Sequence, residues 1–250
     1  MLPKTSLERL QNFKIPGFID ALLLQMQSTL YLDLSFEDRL TLLIDTEHTR
    51  RLDVRTKRML KEARLPNSAA LEEVNFAVQR GLNKKLLIEI AQGNWLSSGT
   101  NVFITGPTGV GETFIGSVIA HSIIVRGLSV RCQRTNHWLS DLQSYAERRR
   151  LQQSLGNMCK LSLLIFDEWL LDPISQTDAR LLLELLESRY HKHSCMFITQ
   201  LKVEEWHARF SDPALADAIL DRIVHNSVRI PLDGPSMRKI LAPNNTSIQE

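Results

Sequence analysis

The chain has 250 residues, 43% hydrophobic and 23% charged, and its 30 lysines and arginines nearly balance 28 acids. That composition describes an ordinary globular chain and excludes a uniformly basic nucleic-acid coat, so any basic surface has to be local. Three widely spaced cysteines without a Cys-x-x-Cys pair, no apolar run near the roughly 18 residues of a membrane span, and an N-terminus (MLPKTSLERL) without a signal-peptide core lead to the expectation of a reducing, cytoplasmic setting with no membrane association.

In chain order, residues 1–65 are expected to form a helical domain and 66–250 an α/β domain. A stripe of Ile19, Leu22, Leu23, Met26 and Leu30, entered through Pro16-Gly17, predicts a first helix. Ser35-Phe-Glu-Asp38 has the pattern of a capping box opening a second, with Leu40, Leu43 and Ile44 on its buried face. Leu65-Pro66-Asn67-Ser68 interrupts the pattern and marks the linker. Beyond it, strands predicted at 101–105, 128–132, 161–166, 195–199 and 227–232 alternate with helices at 84–91, 113–125, 136–149, from a Ser175 cap to 190, and from Asp212-Pro213 onward. Such alternation means βαβ units and a parallel sheet covered on both faces.

The strongest motif is Gly106-Pro107-Thr108-Gly109-Val110-Gly111-Glu112-Thr113, which follows a predicted strand and opens a helix beginning with Phe114. This is the spacing of a phosphate-binding loop, in which glycines let backbone N–H groups converge on phosphate oxygens at a helix N-terminus. The alternative is a glycine-rich turn that only joins strand to helix. One position departs from the pattern: Glu112 stands where a lysine is required. At about 4 Å and an effective dielectric near 20, a unit-charge pair is worth on the order of 4 kcal/mol. Exchanging an attraction for a repulsion beside a polyanion therefore predicts weak ATP binding and poor hydrolysis.

About 50 residues on, Leu163-Leu-Ile-Phe-Asp167-Glu168 is an apolar run ending in two acids, expected on a neighbouring strand. Asp167 there would hold Mg²⁺ together with the Thr113 hydroxyl, and Glu168 would orient an attacking water. Thr199-Gln200 ends the next strand, either as a contact to the terminal phosphate or as an ordinary turn. Arg222 and Arg238 are ambiguous by themselves. His191-Lys-His193-Ser-Cys195 lacks a fourth ligand at useful spacing and is expected to be a loop.

These motifs, taken with their surroundings, resemble the IstB group of AAA+ helper ATPases of insertion-sequence transposition, and more distantly the helicase loader DnaC and the initiator DnaA. The matching blocks are Leu34 to Leu40, Arg64-Leu65, Arg80-Gly81-Leu82, Asn101 to Gly111, Asp167-Glu168-Trp169, Thr199-Gln200-Leu201, Glu205-Trp206-His207, Leu215 to Asn226 and Ser236-Met-Arg-Lys239. The resemblance implies an AAA+ P-loop ATPase in which Gly106 to Thr113 is Walker A, with Phe114 beside it, and Asp167 and Glu168 are Walker B. It further implies Thr199 and Gln200 as the first sensor, Arg222 as an arginine finger toward a neighbouring subunit, and Arg238 as the second sensor. The implied cofactors are ATP and Mg²⁺; the implied partners are duplex DNA, further copies of the chain and a transposase. The sequence departs from the group at Glu112, at Leu170 where glycine is usual, and at Pro235 where Gly-Glu-Ser is usual.

Residues 50–64 carry seven basic side chains against two acidic ones. Arg51, Arg55 and Arg58 share one helical face, flanked by Arg50, Lys57 and Lys61, a stripe able to track a phosphate backbone without base specificity. A solvated helix face is the alternative, as it is for the shorter cluster Arg148-Arg149-Arg150. Three functions stay open on the sequence: an ATP-driven transposition helper, a nucleotide-defective DNA-binding or oligomerising module, and a helicase-loader-like replication protein.

Overall fold

A computed structural model describes residues 4–144 and 148–241. The chain divides into two compact units, Met1–Arg58 and Met59–Glu250.

The first unit contains α1 (Lys4–Asn12), α2 (Pro16–Gln27) and most of α3 (Phe36–Ala63). Pro16 suits the first turn of α2, where a missing N–H costs nothing. Ser35 starts α3: its Oγ accepts the Asp38 N–H at 3.1 Å and donates to Asp38 Oδ2 at 2.8 Å. The helices are joined at Glu47, a buried carboxylate on α3 that accepts the Gly17 N–H at 2.8 Å in the first turn of α2. The expected apolar faces are only partly covered. Ile19 and Leu43 are buried, whereas Met26, Leu30 and Ile44 are exposed, because a unit this small buries few of its side chains.

In the second unit the last turn of α3 packs into the core through Ala63, with Met59 and Leu60 against it. Arg64 then leaves the helix at φ 53°. The elements that follow are α4 (Lys84–Ala91), β1 (Asn101–Thr105), α5 (Glu112–Val125), β2 (Val130–Arg134), α6 (Thr135–Ser144), α7 (Arg148–Cys159) and β3 (Leu163–Asp167). After these come α8 (Gln176–Arg189), β4 (Ser194–Thr199), α9 (Pro213–Val224), β5 (Ser227–Pro231) and α10 (Met237–Leu241). Of the helix expected over 136–149, residues 136–144 lie in α6 and 148–149 in α7, and residues 145–147 lie outside the described part. Arg148 and Arg149 open α7. His191 to His193 form the turn between α8 and β4.

All five strands are parallel, in the order β2-β3-β4-β1-β5. The strand bearing Asp167 is therefore not a neighbour of β1, contrary to expectation; β4 lies between them. Adjacency in sequence does not set adjacency in a sheet whose crossovers run over both faces. Alternate residues of β1, β3 and β4 serve two cores. Val102, Ile104, Leu163, Ile165, Met196 and Ile198 face α5 through Ile115, Val118, Ile119 and Ile123. Phe103, Leu164, Phe166 and Phe197 face the other side, with Trp138, Trp169, Leu182, Trp206 and Ile219. Burial on both faces is why these strands read as unbroken apolar runs. Among the described residues, no helix is long and apolar enough to cross a membrane.

Candidate functional site

β1 ends at Thr105, and residues 106–111 turn the chain into α5. Gly109 and Gly111 adopt φ of 85° and 108°, a region that residues with a Cβ avoid, so glycine is required at both. Val110 between them is fully buried and pins the loop to the core. The loop is braced from outside as well: Gly109 O accepts the Met237 N–H at 2.8 Å, and the Gly106 N–H reaches Thr199 O at 3.4 Å.

Above the loop lies a cleft of about 520 Å³. It is lined by Thr108, Gly109, Gly111, Glu112, Thr113 and Phe114 from the loop and α5, by Asp167 at the end of β3 and Glu168 after it, by Thr199 and Gln200 at the end of β4, and by Arg238 on α10. Gly106, Pro107 and Val110 shape the loop without lining the cleft. Thr113 Oγ1 donates to Asp167 Oδ1 at 3.1 Å, joining residues 54 positions apart across the intervening β4. Thr108 Oγ1 donates to Gln200 Oε1 at 2.8 Å, and Thr199 Oγ1 accepts the Leu201 N–H at 3.2 Å.

Burial raises the pKa of Asp167, opposed by its hydrogen bonds from Thr113 and from the Glu168 N–H. Glu168 leaves the strand at φ 56° and turns its carboxylate toward Arg134, 3.7 Å away. Leu170 also sits at φ 56°, a backbone conformation that glycine adopts without strain; its side chain is wholly buried, so packing offsets that strain.

Glu112 is 7% exposed and turns back onto the loop, where Oε2 accepts the Gly111 N–H at 3.1 Å. Burial raises its pKa, and neighbouring Asp167 adds to the rise; hydrogen bonds from its own N–H and from Gly111, with the charge of Arg238, oppose it. The loop fits a polyphosphate in its backbone, and the Thr113–Asp167 pair fits a hard cation that takes its remaining ligands from phosphate and water. Among the described residues, no group of three or more His, Cys, Asp or Glu side chains could hold a metal by themselves. Within the loop, Glu112 is the residue whose charge opposes a phosphate.

Two expected groups lie elsewhere. Arg222, on α9, is outside the cleft, donating from Nη1 to Ala218 O at 2.6 Å and from Nη2 to Glu187 Oε1 at 3.0 Å. Arg50, Arg51, Arg55, Lys57, Arg58 and Lys61 all lie on α3. Arg50 Nη2 and Arg51 Nε both pair with Glu47 Oε1, at 2.8 and 2.6 Å, so both of these charges face a carboxylate. The motifs also left out two arginines that line the cleft: Arg134, and Arg80 in the segment before α4. Arg80 stands 31 residues before Gly111 and is marked in the sequence only by the Arg80-Gly81-Leu82 block.

A parallel sheet in this order, with a glycine loop after its first strand and paired acids at the end of its third, defines a P-loop protein of the AAA+ class. Residues 8–242 match the family described as IstB-like ATP binding protein, and the chain belongs to that family. It is 34% identical over 242 residues to the insertion sequence ATP-binding protein y4pL of Sinorhizobium fredii, covering 96% of this chain and 98% of that one. Its fold is similar to the crystal structure of DnaI, with a TM-score of 0.58 at 16% identity over 70% of this chain and 93% of the other. AMPPCP-bound DnaA from Aquifex aeolicus gives a TM-score of 0.55 at 19% identity, over 71% of this chain and 54% of DnaA. At these identities the structural likeness speaks for the fold alone.

Proposed function

We propose that this chain is an ATP-binding helper of insertion-sequence transposition, which assembles with copies of itself on duplex DNA and acts on a partner transposase. The observation that carries the nucleotide part is the loop after β1 facing the bonded pair Thr113–Asp167 across one cleft. In this assignment the loop amides bind phosphates and Thr113 with Asp167 holds Mg²⁺, which would supply charge neutralisation on the phosphate oxygens. Glu168 orients a water, Thr199 and Gln200 meet the terminal phosphate, and Arg238 closes on the nucleotide from α10. Arg222, directed away from its own cleft, serves a neighbouring copy. Arg50, Arg51, Arg55, Lys57, Arg58 and Lys61 supply backbone contacts to DNA.

A second reading is favoured by the Glu112–Gly111 hydrogen bond: hydrolysis is lost, and the chain acts as a DNA-binding, oligomerising module. Single-turnover ATP hydrolysis with and without duplex DNA separates the two. Turnover that rises with DNA supports the helper, and none in either condition supports the module. A replicative helicase gene beside this one, in place of a transposase gene, would move the assignment to helicase loading, the activity of the loaders whose fold it shares.

A further inference from the structure

The three arginines that line the cleft differ in what surrounds them. Arg134 faces Glu168. Arg238 is exposed on α10, and its charge acts on Glu112. Arg80 is only 2% exposed, and its burial is not matched by any carboxylate: among the described residues no ion pair to it is found, and no acid raises its pKa against the lowering by burial. Its Nη1 donates to Val110 O at 3.3 Å, and its Nε is buried with no partner at all. A Cβ placed on Gly111 would lie 2.9 Å from that Nη1, so the guanidinium is packed directly against the loop.

A buried guanidinium held by one carbonyl is left with uncompensated charge and an unused donor, an arrangement that costs free energy unless an anion completes it. The adjoining cleft is where an anion would come, and the loop position that ordinarily supplies a cation there carries Glu112. A planar guanidinium with several fixed donors is well suited to phosphate oxygens. We infer that Arg80 is the phosphate-facing cation of this cleft, serving a nucleoside triphosphate from beside the loop in place of the missing lysine. The inference rests on the nucleotide-binding function proposed above.

The test is a fluorescence titration with labelled ATP on the unaltered chain, Arg80→Gln, Arg80→Lys and Glu112→Lys, and on Glu112→Lys combined with each Arg80 change. Arg80→Gln should weaken ATP by about tenfold or more, while Arg80→Lys, which keeps the charge but loses the fork that holds Val110, should keep most of the affinity. Unchanged affinity in Arg80→Gln, or an equal loss in both substitutions, overturns the inference and leaves Arg80 as a brace of the loop. Should Arg80→Gln fail to fold, the side-chain ¹⁵Nε signal of Arg80 in the unaltered chain decides: it should shift on adding ATP and stay on adding adenosine. A signal unmoved at saturating ATP overturns it. If neither the unaltered chain nor Glu112→Lys binds ATP, the nucleotide assignment falls and takes this inference with it. If only Glu112→Lys binds ATP, Arg80 does not stand in for the lysine, and its role falls while the nucleotide assignment stands.

Discussion

The Glu112 carboxylate accepts the Gly111 N–H at 3.1 Å, so a side chain of the loop's own helix holds an amide that a phosphate oxygen needs. Bound phosphate would have to displace this carboxylate and then tolerate its charge. Glu112→Gln should therefore improve ATP affinity by removing the repulsion, and Glu112→Lys should improve it further, by about a hundredfold over the unaltered chain. Calorimetric titration with ATP and Mg²⁺ measures both. Equal affinity in all three chains would show that Glu112 does not govern the site.

Glu47 ties the first turn of α2 to α3, and Arg50 holds its carboxyl at about 2 against the opposing effect of burial, helped by Arg51 and the Phe18 N–H. A folded-state value below the ordinary 4.5 contributes stability that is present above 4.5 and is lost as the pH falls toward about 2. The helical signal of the first unit should accordingly weaken across that acid window. Glu47→Ala, which leaves the Gly17 N–H without its acceptor, should cost about 1–3 kcal/mol at neutral pH and flatten the acid transition. Urea melts followed by circular dichroism at several pH values test this.

Arg189, at the end of α8, is 1% exposed and donates to the carbonyls of Met158 at 2.6 Å, Leu161 at 2.9 Å and Ser194 at 2.5 Å, with Nε toward Cys195 Sγ at 3.4 Å. It gathers the end of α7 and the start of β4 around one cation. Arg189→Met fills similar volume but removes the guanidinium bonds to these carbonyls, leaving Met158 O only the Leu161 N–H at 3.3 Å, and should destabilise the second unit by about 3–5 kcal/mol. Chemical denaturation reads this directly, and a change below about 1 kcal/mol would mean that water replaces the donors.

Arg55→Glu with Arg58→Glu should lower affinity for duplex DNA of any sequence and flatten the dependence of log K on log salt. Arg50→Ala should do less to DNA binding, since that side chain already pairs with Glu47. Fluorescence anisotropy over a salt series supplies both quantities. Binding that survives the double reversal would place the DNA contact elsewhere on the chain.

Much of the cleft was legible from residues near one another in sequence. Gly109 and Gly111 are glycines because of their φ angles, Ser35 and Asp212 cap helices through bonds to residues two or three positions on, and Asp167 ends an apolar run. Each of these signals is local, so spacing alone exposes it. The exposed Met26, Leu30 and Ile44 show the limit, since an apolar stripe says which face could be buried and not whether anything covers it.

The sequence by itself determined the alternation of strands and helices, the strained loop and the misplaced charge at Glu112, all properties of short stretches governed by backbone sterics and periodicity. Only the tertiary structure decided that β4 runs between β1 and β3, that Glu47 accepts the Gly17 N–H, and that Arg80 lies buried against Gly111. Those relations depend on strand order and packing across the chain, and on burial, which removes the water that would otherwise screen a charge.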